Sequence, residues 1–177
     1  MNQLLSSFFQ VIKLLVIFFV LFSIAFYAMV YYQLNKDPYN SIDYEDDDVS
    51  LVLNWLELTS KETEIIHSYH PTGNWSGDYT KLIVIHVPTI QESDILQKQG
   101  ISRGDKLDQT LNNAVEFISN LSDQNRTPWF PNKKQLLSKN FYVHPVIMIH
   151  HGNYPDSVHI VFIQPEIKRI YFAAIKI

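Results

Sequence analysis

The sequence predicts an α+β fold: an apolar N-terminal helix, then a small domain whose mainly antiparallel sheet of about four strands is packed by helices. Three observations predict it. Residues 14–34 read LLVIFFVLFSIAFYAMVYYQL, with no charge, Pro or Gly. Residues 107–121 repeat apolar side chains at helical spacing. The last third strings β-rich runs together through short turn-like connections, the pattern of an antiparallel meander. Behind the anchor, the predicted element order is α-β-α-βββ.

The apolar run predicts a transmembrane helix, with the lipid bilayer as the partner of residues 14–34. At 1.5 Å per residue it extends roughly 31 Å, about the thickness of a hydrocarbon core. Tyr27, Tyr31 and Tyr32 gather at its C-terminal end, where phenols suit the headgroup layer. Lys13 and the amino terminus precede the run, and Lys36 follows it. Orientation is set by Lys and Arg, and acids weigh little, so residues 1–13 are expected in the cytoplasm. Residues 14–34 then form a signal-anchor, 35–48 an acidic juxtamembrane linker, and 49–177 an extracytoplasmic domain. A cleaved signal peptide is the competing reading. The run is longer than the usual apolar core of such a peptide, and no A-x-A-like site closes it. Both readings put the domain outside the cytoplasm.

The domain elements follow in order. Asp48 can cap a helix whose face carries Val49, Val52, Leu53 and Leu56, resuming from Glu62 to Ser68. Pro71 and Gly73 end it, and PTGNWSGD is turn material. Residues 81–87 form a strand apolar on both faces, Leu82 and Val84 on one, Ile83 and Ile85 on the other, which suits the interior of a sheet. The best helix is expected to start at Asp105 and to bury Leu107, Leu111, Ala114, Val115, Ile118 and Leu121. Its start contains Arg103-Gly104-Asp105, which a helix start explains without an adhesion motif. Pro128 and Pro131 bracket Trp129 and Phe130 in a stiff loop, either a plug on the core or a binding knob. Three strands then close the chain. Ile147, Ile149, Val161, Ile163 and Ile175 lie on a second apolar face, which the first domain helix or a partner must cover.

Composition restricts the chemistry. The chain has no Cys, which removes disulfides, thiolate nucleophiles and Cys-based zinc sites, and leans toward a bacterial inner membrane with the domain in the periplasm. The net charge of −4 is uneven: residues 36–66 hold nine acids and two bases, while residues 67–177 hold nine acids and eleven bases. The acidic run Asp43 to Asp48 lacks the spaced ligands and turn glycine of a calcium loop and reads as a solvated spacer. With no basic stripe, no nucleic-acid partner is expected. Sequons at Asn74, Asn120 and Asn125 are what an Asn- and Ser-rich chain supplies by chance.

The histidines are the only candidates for site chemistry: His67, His70, His86, His144, His150, His151 and His159. Several fall at expected strand ends, and the meander would bring His150 or His151 toward His159. None has a recognised metal-ligand spacing, so no metal, cofactor-binding or catalytic residue is assigned and no cofactor is expected. Nucleophile elbow, phosphate loop and dinucleotide fingerprint are missing too. Two functions fit. One is an anchored protein-binding module that meets a partner of the envelope, either assembling a complex or neutralising a toxin as an immunity or inhibitor protein does. The other is an anchored hydrolase, with Asp78, His86, Asp156 or His159 as members of its site, or a metal-dependent enzyme using the strand-end histidines.

Overall fold

The computed structural model describes residues 2–34, 47–71, 78–122, 126–151 and 154–177. The acidic stretch up to residue 46, the tip of the PTGNWSGD turn and the residues at 123–125 and 152–153 lie outside them. The chain divides into two compact units, Met1–Asp37 and Pro38–Ile177.

The first unit is one helix, α1 (Asn2–Leu34, 33 residues). It starts before the apolar run and contains it, because nothing in residues 2–13 breaks a helix. Lys13–Tyr31 is long and apolar enough to cross a membrane, and it is the single such helix among the described residues. Phe18, Phe22 and Phe26 stack at four-residue spacing along one side, with Ser23 Oγ closing on the Phe19 carbonyl at 2.8 Å.

The second unit is α+β, with one six-stranded antiparallel sheet where about four strands were expected. Its elements are α2 (Asp47–Leu56), β1 (Glu64–Tyr69), β2 (Tyr79–His86), α3 (Glu92–Leu96), β3 (Ser102–Arg103), α4 (Gln109–Leu121), α5 (Lys133–Leu136), β4 (Tyr142–His151), β5 (Tyr154–Gln164) and β6 (Arg169–Lys176). The strand order is β1-β2-β6-β5-β4-β3. The meander is present as β4-β5-β6, and β2 lies beside β6 in the interior, as its two apolar faces require.

The two extra strands lie where the sequence pattern misleads. The helical pattern of residues 62–68 gives way to β1, which starts at Glu64. The Glu62 carboxylate accepts from both the Thr59 amide, at 3.0 Å, and the Thr59 hydroxyl, at 2.7 Å, which closes a tight turn. Beyond it, β-branched Thr63, Ile65 and Ile66 favour the extended backbone. The second extra strand, β3, has two residues and exists through its pairing with β4. The long helix also begins later than expected. Its cap is Asp108, whose side chain accepts from the Leu111 amide at 2.8 Å, and Asp105 belongs to the preceding turn.

Helices cover both faces of the sheet. On the first face, Leu111, Ala114, Val115 and Ile118 of α4 and Leu136 of α5 pack on Leu82, Val84, Ile160 and Phe162. Leu121 is exposed and falls outside that stripe. On the second face, Val49, Val52 and Leu53 of α2 and Ile95 of α3 pack on Ile83, Ile85, Val161, Ile163 and Phe172. The first domain helix thus covers the second apolar face, as one of the two expected solutions required. Ile175 belongs to the first core, while Ile147 and Ile149 on β4 remain 38% and 52% exposed. Pro145 and two register shifts interrupt β4 along that margin, the usual protection of a sheet edge.

Candidate binding groove

Each end of the sheet gathers polar side chains, in different ways. At the start of β2, Tyr79 and Lys81 meet Asp48 from the first turn of α2 and His159 from β5. Lys81 Nζ stands 2.5 Å from Asp48 Oδ2, and the Tyr79 hydroxyl 2.5 Å from His159 Nε2. His159 Nδ1 is 4.0 Å from Asp48 Oδ1. The imidazole is buried, and that burial holds its pKa below the ordinary 6.5, with Lys81 acting the same way and Asp48 opposing. The Tyr79 hydroxyl is pushed up, first by burial and then by Asp48. Among the described residues no buried side-chain nitrogen or oxygen lacks a partner, so this cluster leaves no buried polar atom open.

The structure spreads the other histidines apart and uses several as flat packing surfaces. His144 stacks on Trp55 at 4.0 Å, with Nδ1 3.1 Å from the Gly100 carbonyl. His67 stacks on Trp129 at 5.2 Å. Burial lowers the pKa of both rings. His150 lies opposite Pro155, and His159 opposite Ile147, so the expected approach of these two histidines is not formed. Backbone register explains it: the two lie at different levels of the β4–β5 pair. His86 is at the far end of β2 from Tyr79 and His159, facing Glu64 and Arg169 along the ladders, so of the candidates Asp78, His86, Asp156 and His159 it stands apart, while Asp78 and Asp156 adjoin Tyr79 and Ser157 at the His159 end. No group of three or more His, Asp or Glu that could hold a metal occurs among the described residues.

The opposite end, where β4 and β6 begin and β5 ends, is open. A groove of about 720 Å³ lies there, bounded by the Pro128–Pro131 loop, α5 and the β5–β6 turn. The sequence pattern TPWFP builds its floor and one wall. Phe130 is 2% exposed and inserts edge-on against Phe162 and Tyr171, which is the expected plug. Trp129 is the half-buried wall, held by His67 behind it and by Phe130 beside it. The proline pair fixes the backbone that separates these two roles.

Polar groups line the rest. Lys134 and Arg169 bring positive charge, and Asn140 and Gln164 bring amides, while no acidic residue lines the groove. Neither Lys134 nor Arg169 forms an ion pair with a described residue. The Arg169 charge also acts on His67, adding to the lowering of its pKa. A second cleft of about 580 Å³ shares Asn140 and is partly closed by internal contacts. In it Tyr142 donates to Glu92, and Lys168 Nζ reaches the Ile90 carbonyl at 2.6 Å.

The floor is braced by the tripeptide Arg103-Gly104-Asp105. Arg103 and Asp105 pair at 2.5 Å, and the Gly104 amide donates to the Phe141 carbonyl at 2.8 Å. A Cβ on Gly104 would stand 2.3 Å from the Leu136 carbonyl oxygen and 2.6 Å from that of Ser138. Glycine is therefore required by close backbone approach to α5, a reason the tripeptide alone does not disclose.

Comparison of the chain with protein-family models, characterised proteins and solved structures finds no match in any of the three. Function is therefore argued from the groove itself.

Proposed function

We propose that the protein is a membrane-anchored, extracytoplasmic protein-binding module that engages a partner of the envelope through the Trp129 groove. The observation that carries this reading is the groove's unspent chemistry. An aromatic wall on a stiff loop stands beside two cations and two amides whose side chains form no hydrogen bond or ion pair with a described residue. A rigid aromatic with adaptable polar groups around it is the composition of a binding hot spot. The anchor supports the setting: α1 supplies one membrane-spanning length, and Lys13 before the span favours a cytoplasmic N-terminus. Assembly of an envelope complex and neutralisation of a toxin both require such a docking surface.

The test is crosslinking from inside the groove. A photoreactive residue replaces Asn132 in the full chain, in membranes of its own cell. A second chain carries it at Lys176, exposed at the other end of the sheet. One discrete adduct from position 132 and none from 176 is the expected result. No adduct from either, or equal adducts from both, overturns the reading.

A further inference from the structure

Resting on that reading, we infer that the groove takes an acidic, extended peptide segment of its partner. The charge of the groove lining is the first reason. Residues 126–177, which run through both ends of the sheet, hold seven Lys and Arg against two Asp and Glu, and the groove draws Lys134 and Arg169 from that set with no acid among its lining residues; Glu166, in the bounding turn, lines the adjoining cleft. The two bases come from α5 and from the first position of β6, so the fold brings them together from distant sequence. A carboxylate entering between them gains charge-assisted hydrogen bonds, bidentate from the Arg169 guanidinium.

The second reason is the remaining lining. The Asn140 and Gln164 amides each offer a donor pair and an acceptor, the complement of a peptide backbone that has no strand partner of its own. Trp129 and Pro131 supply an apolar wall for a side chain between two acids. A volume of about 720 Å³ exceeds what a lone inorganic anion fills, and lies in the range of sites that enclose a sizeable ligand. Two cations in a short groove are too few for the backbone of a nucleic acid, whose binding rests on many phosphate contacts.

The experiment uses the full chain in nanodiscs and a fluorescein-labelled octapeptide of Asp and Glu around one central Leu. Saturable binding is expected that weakens as salt is raised. Arg169→Gln should weaken it roughly tenfold or more, the scale of one lost charge-assisted contact, Lys134→Gln less, and Lys176→Gln not at all. Thermal melts confirm that each variant is folded. Equal binding of the Asn/Gln version of the peptide overturns the inference, as does tighter binding of heparin than of the peptide, or an Arg169→Gln chain that binds normally. If the peptide fails while the adduct from position 132 persists, the partner's chemistry is wrong and the protein-binding reading stands. Loss of both removes the reading itself.

Discussion

The two ends of the sheet carry similar side chains and use them in opposite ways. At the Asp48 end a carboxylate, an ammonium, an imidazole and a phenol face one another within hydrogen-bonding or near ion-pairing distance. That cluster ties α2 to β2 and β5, and its polar groups are bonded within the fold. At the groove end Phe130, Leu136, Phe141 and Tyr171 supply the buried apolar packing, while Lys134, Arg169, Asn140 and Gln164 line open space. A polar group that satisfies a neighbour serves the fold; one left facing a concave surface is available to a ligand. Substitutions at the two ends should therefore separate stability from binding.

The largest effect should come from the plug. Phe130→Ala empties a site between Phe162 and Tyr171 and should cost about 3–5 kcal/mol in denaturant melts of the detergent-solubilised chain, much of the stability of a small domain. A loss under about 1 kcal/mol would show that the loop is not packed as described. At the other end, Tyr79→Phe keeps the ring and leaves His159 Nε2 without its partner. About 1–3 kcal/mol is expected, the usual cost of orphaning a buried polar atom.

Acid should weaken the domain through three rings, of which only His159 belongs to the Asp48 cluster. His159, His67 and His144 all have folded pKa values below 6.5, because burial disfavours the charged ring. Below that value the unfolded chain binds more protons than the folded one. Stability contributed by these rings is thus complete above about pH 6.5 and is lost as pH falls from there toward the folded values. Melting temperature should decline from about pH 7 to about pH 5, and His159→Asn should flatten the decline; an unchanged slope would deny the ring its buried, uncharged state. The smallest effect on stability belongs to the open end. Arg169→Gln and Lys134→Gln should each shift the same melts by under about 0.5 kcal/mol, since neither base has an ionic partner to lose among the described residues.

Much of the fold was legible because hydrophobic period and secondary structure agree. The alternation Leu82, Ile83, Val84, Ile85 assigned β2 to an interior position with two buried faces, and the stripe Leu111, Val115, Ile118 identified the core side of α4. Legibility failed where local and tertiary signals compete. Glu62 to Ser68 reads as the resumption of a helix, and only the Thr59–Glu62 contacts show that the chain turns there and enters β1. A two-residue strand such as β3 has no period to read. The aromatic pair at residues 129 and 130 was visible as a plug or a knob, and the structure assigns the plug to Phe130 and a groove wall to Trp129. The groove itself was not visible. Arg169 and Gln164 reach it from more than thirty residues away, through sheet register rather than any motif. The Asp48–Lys81 and Tyr79–His159 contacts were hidden for the same reason: they join α2, β2 and β5, which lie far apart in the chain.

The difference between the ends is tested most directly by amide hydrogen exchange of the full chain in nanodiscs, with and without the acidic octapeptide. Slower exchange is expected in residues 128–141 and 164–171, which frame the groove, with residues 79–81 and 157–159 unchanged. Protection centred on the Asp48 cluster, or along β4 at Ile147 and Ile149, would contradict the account by moving the docking surface to another part of the sheet.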